Sequence, residues 1–375
     1  MPIIQLCPSP GGVSISMSGK KILIYSQDVG GAKYIAPVIN TIVAKYQVMV
    51  IGHPLSESTF QKEKIVFSPL TNFFDKPYPS KYEIETFLIK NKFSHVFCTL
   101  SSTYQDLTNA YLIEICGKLK IPTYGVMDHW KGYDRFFDNV GVMAYFPDQI
   151  GCIDSFCSEE LIKRCKDPAR VIVVGHPHLE RVFMENPPNP QHEMMFNMLI
   201  ISQPDTREKS FVGVFLKKNG SGNILDKILE QIKQIDSSVN YRINYRFHPK
   251  EKRLMQLPGD IHVDNAKTWE DALFENDIFL GLDSMLLVEA ALAGKKCISL
   301  LLPEFSDYGN KTIPYRIWEN VGDINNLGMI LRRTVKSAKH NYSGNLSDLV
   351  EAVKGSHERV IKSFEAFIHN YQQLN

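Results

Sequence analysis

The chain has 375 residues, of which 44% are hydrophobic and 22% charged, and this size and composition are typical of a globular protein with more than one domain. A formal net charge of +1, with no basic run that includes aromatic residues, argues against a nucleic-acid partner. No signal peptide or membrane-spanning stretch is visible, and none of the seven cysteines forms a CxxC pair. We therefore expect a cytoplasmic protein with reduced thiols.

The first half of the chain alternates strand and helix patterns, which predicts a parallel sheet with helices on both faces. The first predicted strand, residues 21–25, leads through Asp28, Gly30 and Gly31 into a helical pattern. The glycines can bring the backbone close to a ligand, or they simply let strand and helix pack closely. The remaining predictions are strands at residues 47–51, 94–99, 122–127, 149–153 and 170–174 and helices at 82–90, 104–119 and 158–166.

Three prolines in residues 186–190 (NPPNP) interrupt this alternation and predict a linker between two domains. We place the first domain at residues 1–188, the second at 189–355 and a C-terminal helix at 356–375. A second series follows the linker, with strands predicted at residues 196–201, 240–247, 261–263, 278–282 and 297–302. Helices are predicted at residues 224–235, 269–275, 285–292, 324–333 and 346–371.

Several polar residues follow predicted strands directly, and open α/β sheets bind ligands beyond these carboxyl ends. If two sheets face each other, such residues line one cleft. Asp128 or Asp28 can then act as a general base, and Trp130 and Tyr133 can stack on sugar faces. Alternatively, Asp128 caps the next segment and the aromatic residues fill the cleft wall. The residues at strand ends are Asp28, Asp128, His129, Ser202, His248, Asp283 and Ser284.

Two features of the second half suit a phosphate group. Pro249 restricts His248 to extended geometry, so that the imidazole can bind phosphate and protonate a leaving oxygen, or make a structural hydrogen bond in a turn. Ser284 precedes a helix whose N–H groups and dipole attract anions, or it only caps that helix. No P-loop, GxGxxG, HExxH or GxSxG sequence occurs, so we expect neither a metal nor a dinucleotide cofactor.

These residues resemble the GT-B glycosyltransferases, and more narrowly the bacterial sialyltransferase-like and capsule-type enzymes that use CMP-activated nonulosonic acids. The resemblance rests on His248-Pro249, on Asp283-Ser284 and on the following helix with Glu289. It implies two Rossmann-like doubly wound domains that face each other across a cleft, with the C-terminal helix bracing the first domain. It also implies that His248 contacts the donor phosphate, that Ser284 binds phosphate and that Glu289 holds the ribose.

The reaction expected from this resemblance is metal-independent transfer of a CMP-linked nonulosonic acid to a hydroxyl of a bacterial surface glycan. Catalysis is assigned to Asp128 or Asp28 and to His248. A lipid-linked acceptor would bring the chain to the membrane periphery. The nucleotide is expected at Ser202, His248, Pro249, Asp283, Ser284, Met285 and Glu289, and the acceptor or sugar at Gly30, Gly31, His129, Trp130 and Tyr133.

Two alternatives remain open because one fold serves several reactions. The first is a UDP-sugar 2-epimerase or a nucleotide-sugar hydrolase on the same fold, which releases its product without an acceptor. The second is a non-catalytic subunit of a polysaccharide assembly complex, which keeps the two-domain shell but binds no nucleotide.

Overall fold

The computed structural model describes thirteen segments of the chain, and most of its strands belong to two parallel sheets. The predicted linker at residues 186–190 lies outside the described residues, and so does Pro249. The described segments are residues 18–101, 106–185, 195–203, 213–216, 218–219, 222–235, 239–248, 251, 257–258, 260–308, 313–315, 317–336 and 346–371.

The first sheet has seven parallel strands in the spatial order β3-β2-β1-β4-β5-β6-β7, a doubly wound order that reverses between β1 and β4. Its strands are β1 (Ser18–Ser26), β2 (Tyr46–Gly52), β3 (Ser68–Pro69), β4 (His95–Thr99), β5 (Thr123–Val126), β6 (Gln149–Cys152) and β7 (Val171–Val173). The helices of this half are α1 (Val29–Val43), α2 (Pro54–Lys62), α3 (Lys81–Asn91), α4 (Thr108–Leu119), α5 (Ser155–Cys165) and α6 (Pro177–Glu185), with 3₁₀ turns at Leu70–Asn72, Tyr133–Phe136 and Pro168–Arg170.

The second sheet repeats this order with six parallel strands, β12-β11-β8-β13-β14-β15, and reverses between β8 and β13. Its strands are β8 (Phe196–Ile201), β11 (Tyr241–Arg246), β12 (Ile261–Val263), β13 (Ile278–Gly281), β14 (Lys296–Leu300) and β15 (Glu319–Val321), while β9 (Lys218–Asn219) and β10 (Gly222–Asn223) form a separate antiparallel pair. The helices of this half are α7 (Ile224–Ile232), α8 (Trp269–Glu275), α9 (Met285–Leu292), α10 (Leu327–Lys336), α11 (Leu346–Val353) and α12 (Ser356–Asn370), with 3₁₀ turns at Pro303–Tyr308 and Ile324–Asn326.

The two sheets confirm the predicted fold class, and every predicted strand is present in one of them. The sequence patterns did not predict α2, because the residues that this helix buries include Ser56 and Thr59 and give no apolar periodicity. They also missed the helix α6 and the short strands β3, β9, β10 and β15. The single helix predicted at residues 346–371 is wrong. It is divided into α11 and α12 at Gly355, whose φ of +75° ends a right-handed helix.

The C-terminal helix α12 packs on one face of the first sheet. The ring of Phe364 lies 4.7 Å from that of Phe97 in β4, measured between centroids. One turn later in the helix, the Ile368 carbonyl accepts a hydrogen bond of 2.9 Å from Lys20 Nζ. The last helix therefore braces the first half of the molecule, as the resemblance implied.

In the described part of the chain, no helix is long and apolar enough to cross a membrane. All six cysteines found there are free and buried, namely Cys98, Cys116, Cys152, Cys157, Cys165 and Cys297.

The buried His95 at the start of β4 should make folding sensitive to acid. Burial, helped by the charge of Lys20, lowers the pKa of His95 to about 4, against about 6.5 for an exposed histidine. The folded state therefore binds fewer protons than the unfolded state between these values, and stability is lost as the pH falls from about 6.5 towards 4. In urea unfolding between pH 7 and pH 4.5, we expect His95→Leu to flatten this decline. The same change at the exposed His369 should leave it unaltered.

Candidate functional site

The candidate site lies where the carboxyl ends of the two sheets meet. At the end of β1, Asp28 caps α1, and its Oδ1 accepts a hydrogen bond of 2.8 Å from the Gly31 N–H. The carboxylate of Asp128, which follows β5, lies against Gly30 so closely that a Cβ on Gly30 would overlap Asp128 Oδ2. Gly31 is equally confined, in its case by Thr99 at the end of β4. The structure thus brings both predicted acids to one Gly-Gly turn.

Residues 127–132, here called the 127–132 loop, connect the first sheet to the second. Lys131 Nζ lies 2.9 and 2.8 Å from the two carboxylate oxygens of Asp283, which follows β13. His129 Nε2 is 3.4 Å from the backbone oxygen of Asp283. From the end of β8, Gln203 Nε2 donates to Asp283 Oδ1 at 2.8 Å. Asp283 therefore joins the loop after β5 of the first sheet to the point at which the strand order of the second sheet reverses, between β8 and β13.

Burial and the nearby Lys131 shift the pKa values of Asp283 and His129 at this junction. Burial alone raises the pKa of Asp283, but the neighbouring Lys131 and His129 outweigh it and hold the pKa below its usual value. Burial, together with the charge of Lys131, lowers the pKa of His129 to about 3. Near neutral pH the junction therefore contains an ionised Asp283 and a neutral His129 imidazole.

The two aromatic residues proposed to stack on sugars belong to the wall of the cleft. Trp130 is 1% exposed, and its Nε1 donates a hydrogen bond of 2.5 Å to Asp154 Oδ2. Tyr133 is 9% exposed, and the guanidinium of Arg164 lies 4.5 Å from the centre of its ring. Since neither ring offers a free face, the geometry favours the alternative in which these residues fill the wall.

On the second sheet, Ser284 caps α9 with its Oγ, which accepts a hydrogen bond of 3.3 Å from the Leu286 N–H. Ser284 and the first helical residue, Met285, are both partly exposed. The start of α9 therefore combines a capping serine with a helix dipole, beside the charged Lys131 that Asp283 holds.

Glu289, predicted to bind ribose, is instead an interdomain contact. Lys33 Nζ in α1 lies 2.8 and 3.1 Å from its two oxygens, and His178 Nε2 in α6 lies 3.0 Å from Oε1. Burial raises the pKa of Glu289, but the charge of Lys33 and the contacts with His178 lower it to about 2. At 1% exposure, the Glu289 carboxylate presents no surface to a ribose in this conformation.

The remaining predicted residues lie at the ends of β8 and β11. Ser202 is 1% exposed and accepts a hydrogen bond of 2.8 Å from the Tyr245 hydroxyl. His248 is partly exposed, and its backbone N–H donates to Glu251 Oε2 at 3.0 Å. The Glu251 N–H in turn donates to the His248 carbonyl at 2.9 Å. Burial raises the pKa of Glu251, so a sequestered carboxyl group fixes the turn that presents His248.

Sequence reasoning missed several ionisable residues at this edge. The buried His53 follows β2, and its Nε2 is 3.0 Å from Asp106 Oδ2. Because the His53 Nδ1 accepts a hydrogen bond from the Leu55 N–H, Nε2 carries the proton. Asp128 was selected because polar residues that follow a strand lie at the carboxyl edge of the sheet. The same reasoning would have selected His53, which follows β2. The described residues contain no group of three or more metal-ligating side chains that could hold a metal ion.

The chain was compared with known sequences and solved structures. No protein-family model matches it, and no curated protein matches it either. Among solved structures, UDP-GlcNAc 2-epimerase from Methanocaldococcus jannaschii, solved with UDP-GlcNAc and UDP, is 15% identical with a TM-score of 0.61, over 92% of this chain and 99% of that one. The UDP-GlcNAc 2-epimerase from Neisseria meningitidis, bound to UDP-GlcNAc, is 14% identical with a TM-score of 0.62, over 92% and 100%.

A glycosyltransferase structure is also similar. The glycotransferase of kitacinnamycin is 12% identical with a TM-score of 0.56, and the match covers 94% of this chain and 99% of that one. The chain has the GT-B fold. Sequence identities at this level establish the GT-B architecture alone, so the reaction has to be argued from the residues of the cleft.

Proposed function

We propose that this GT-B protein is an enzyme that breaks the bond between the anomeric carbon and the diphosphate of a UDP-sugar, with 2-epimerisation or hydrolysis as the outcome. The observation that carries the proposal is the 127–132 loop. It places the Asp128 carboxylate beside the Gly-Gly turn of one sheet and Lys131 beside the start of α9 on the other. A base and an anion-stabilising group therefore lie on opposite sides of one junction.

Asp128 is proposed as the base in preference to Asp28. Asp28 Oδ1 already accepts the capping hydrogen bond from Gly31. The Asp128 side chain is 14% exposed and lies at the junction of the sheets. A 2-epimerase must remove the C2 proton as UDP leaves C1, and must then return a proton to the opposite face of C2 and UDP to C1. A hydrolase must deprotonate a water molecule that replaces UDP at C1. Both reactions need a base, which a carboxylate in this position can supply.

The departing diphosphate is assigned to the second sheet. The N-terminus of α9 carries a partial positive charge, and Lys131 adds a full charge that is 35% exposed and can turn from Asp283 towards a phosphate. His248 lies on the same edge, partly exposed at the end of β11, and we propose it as the acid that protonates the leaving oxygen. The similar structures bound to UDP or UDP-GlcNAc support uridine as the nucleotide.

Sugar transfer is the second candidate, and the similarity to the kitacinnamycin glycotransferase favours it. The same base would then deprotonate an acceptor hydroxyl. The CMP-linked nonulosonic acid expected from the sequence remains a prediction within this candidate. It is less favoured because Glu289, the assigned ribose contact, is held by Lys33 and His178.

Incubation with UDP-GlcNAc in D₂O distinguishes these reactions. A 2-epimerase introduces deuterium at C2 and inverts that carbon, which proton NMR detects. A hydrolase releases UDP and free sugar without deuterium at C2, whereas a transferase consumes no donor until an acceptor is added. If UDP-, dTDP- and CMP-linked donors are all unchanged with or without glycan acceptors, and none of them binds, the chain is a non-catalytic subunit and the proposal is wrong.

Gly30→Ala is expected to lower turnover by about 100-fold, because the new Cβ pushes the Asp128 carboxylate away from the Gly-Gly turn. Gly30 lies within α1 at an ordinary negative φ, so alanine adds no backbone strain. Gly117→Ala in α4 is the matched control, since nothing lies within 4 Å of a Cβ there. Steady-state kinetics and circular dichroism of both variants test this expectation, and unaltered kcat in Gly30→Ala would argue against the placement of Asp128.

A further inference from the structure

Arg135, in the 3₁₀ turn after β5, makes an unusual set of contacts. Its side chain is 9% exposed, and its three guanidinium nitrogens each donate to a different backbone carbonyl. Nε donates to Gly132 at 2.8 Å, Nη2 donates to Lys131 at 3.1 Å, and Nη1 donates to Leu100. Each of the three guanidinium nitrogens is thus engaged by a backbone carbonyl.

These contacts join two chain segments that follow different strands of the first sheet. Leu100 directly follows β4, whereas Gly132 and Lys131 end the 127–132 loop after β5. Gly132 has φ of +78°, and a Cβ on it would lie 2.6 Å from Arg135 Nη2, so the turn is shaped around the guanidinium. A planar fork of five N–H donors can make all three contacts, whereas the ammonium group of lysine cannot reach the same geometry.

Arg135 also places its charge beside the proposed base. Nη1 lies 3.9 Å from Asp128 Oδ1, close enough to favour the ionised carboxylate without forming a direct hydrogen bond. Other charged or titratable groups near Asp128 come from α1, from the loop itself and from the segment before α6. They are Asp28 at the start of α1, Tyr34 within α1, His129 in the loop itself and His176 before α6, whose ring hydrogen-bonds to the backbone of Asp128.

We propose that Arg135 is a positioning residue for the reaction: it holds the 127–132 loop against the end of β4, and it keeps the Asp128 carboxylate ionised and aimed at the sugar. At 9% exposure, with all three nitrogens engaged, Arg135 itself does not touch the substrate. This inference rests on the proposed function, in which Asp128 is the base.

The test compares Arg135→Lys, which keeps the charge, with Arg135→Gln, which removes it. We expect kcat to fall about 10- to 100-fold in Arg135→Lys, while the acid limb of the pH–rate profile stays in place. In Arg135→Gln the fall should be larger, and the acid limb should move up by about one pH unit. The Kd for uridine should stay within about twofold of wild type in both variants, because the nucleoside is assigned to the second sheet. The Kd for UDP should rise, because the loop that Arg135 holds carries Lys131, which is assigned to the diphosphate. Arg164→Lys is the matched control, since Arg164 contacts the Tyr133 ring and Glu160 but not the 127–132 loop.

A second measurement separates this inference from the proposed function. Hydrogen–deuterium exchange of amides in residues 127–132 needs no substrate, and we expect it to be at least tenfold faster in Arg135→Lys than in wild type and unaltered in Arg164→Lys. If wild type turns over no nucleotide sugar, the proposed function fails, while this exchange still decides whether Arg135 positions the loop. Unaltered exchange in Arg135→Lys, or an unmoved acid limb in Arg135→Gln, would overturn the inference.

Discussion

Asp128→Asn is expected to lower kcat by about three orders of magnitude, because an amide cannot accept the proton that the proposed reaction removes. The substitution preserves shape, so the contact with Gly30 and the start of the 127–132 loop should persist. Binding of UDP should be retained, since the nucleotide is assigned to the second sheet. Steady-state kinetics with UDP-GlcNAc, alongside calorimetric titration with UDP, measure both quantities.

Two further substitutions show whether the effect belongs to Asp128. Asp134→Asn changes an exposed acid just after the same loop and should leave kcat unaltered. Asp28→Asn should have a small effect, because an asparagine oxygen can still accept the capping hydrogen bond from Gly31. A large loss in Asp28→Asn with wild-type activity in Asp128→Asn would transfer the base assignment to Asp28.

Glu289→Gln is expected to destabilise the folded chain by about 3 kcal/mol at neutral pH. The pKa of Glu289 is lowered to about 2 in the folded protein, against a reference value of about 4.3, and each pKa unit corresponds to about 1.4 kcal/mol. Burial opposes this shift, so the stabilisation comes from the Lys33 charge and the His178 hydrogen bond. Thermal unfolding should show a decrease in Tm of about 4 °C for a chain of this length.

The pH dependence of this difference follows from the direction of the shift. A lowered pKa in the folded state means that the Glu289 contribution is complete above about pH 4.5 and is lost as the pH falls towards 2. The free energies of unfolding of Glu289→Gln and wild type should therefore differ by a constant amount between pH 5 and pH 7 and converge in stronger acid. Glu358→Gln provides a matched control, because the Glu358–Lys362 ion pair, 2.6 Å long, is exposed and its loss should not measurably change Tm. An equal Tm for Glu289→Gln and wild type would contradict the interdomain role.

The strand ends could be predicted from the sequence because they depend on local patterns. An apolar run of strand length followed by Asp, Ser or His identifies a carboxyl edge, and this reasoning found Asp28, Asp128, Ser202, His248 and Asp283. It also found the start of α9, since a serine before a helical pattern is a capping signal. Elements without apolar periodicity, such as α2, gave no signal of this kind.

The contacts of these residues could not be predicted, because they join positions far apart in the chain. Lys131 and Asp283 are 152 positions apart, and Lys33 and Glu289 are 256 apart. No periodicity connects such pairs, so the sequence did not predict the contact of Glu289 with Lys33, and the ribose contact assigned to Glu289 stays a prediction. The role of Trp130 could not be decided from the sequence for a similar reason. Its Nε1 donates to Asp154, which follows the neighbouring strand β6.

The central claim, that this GT-B cleft binds a UDP-sugar, is tested most directly by calorimetric titration of the purified chain with UDP and, separately, with CMP. We expect one UDP site per chain, for which UDP-GlcNAc competes, and much weaker binding of CMP. Tight binding of CMP without UDP would contradict the uridine assignment and favour the CMP-linked donor. Binding of neither nucleotide would contradict the nucleotide-sugar assignment itself.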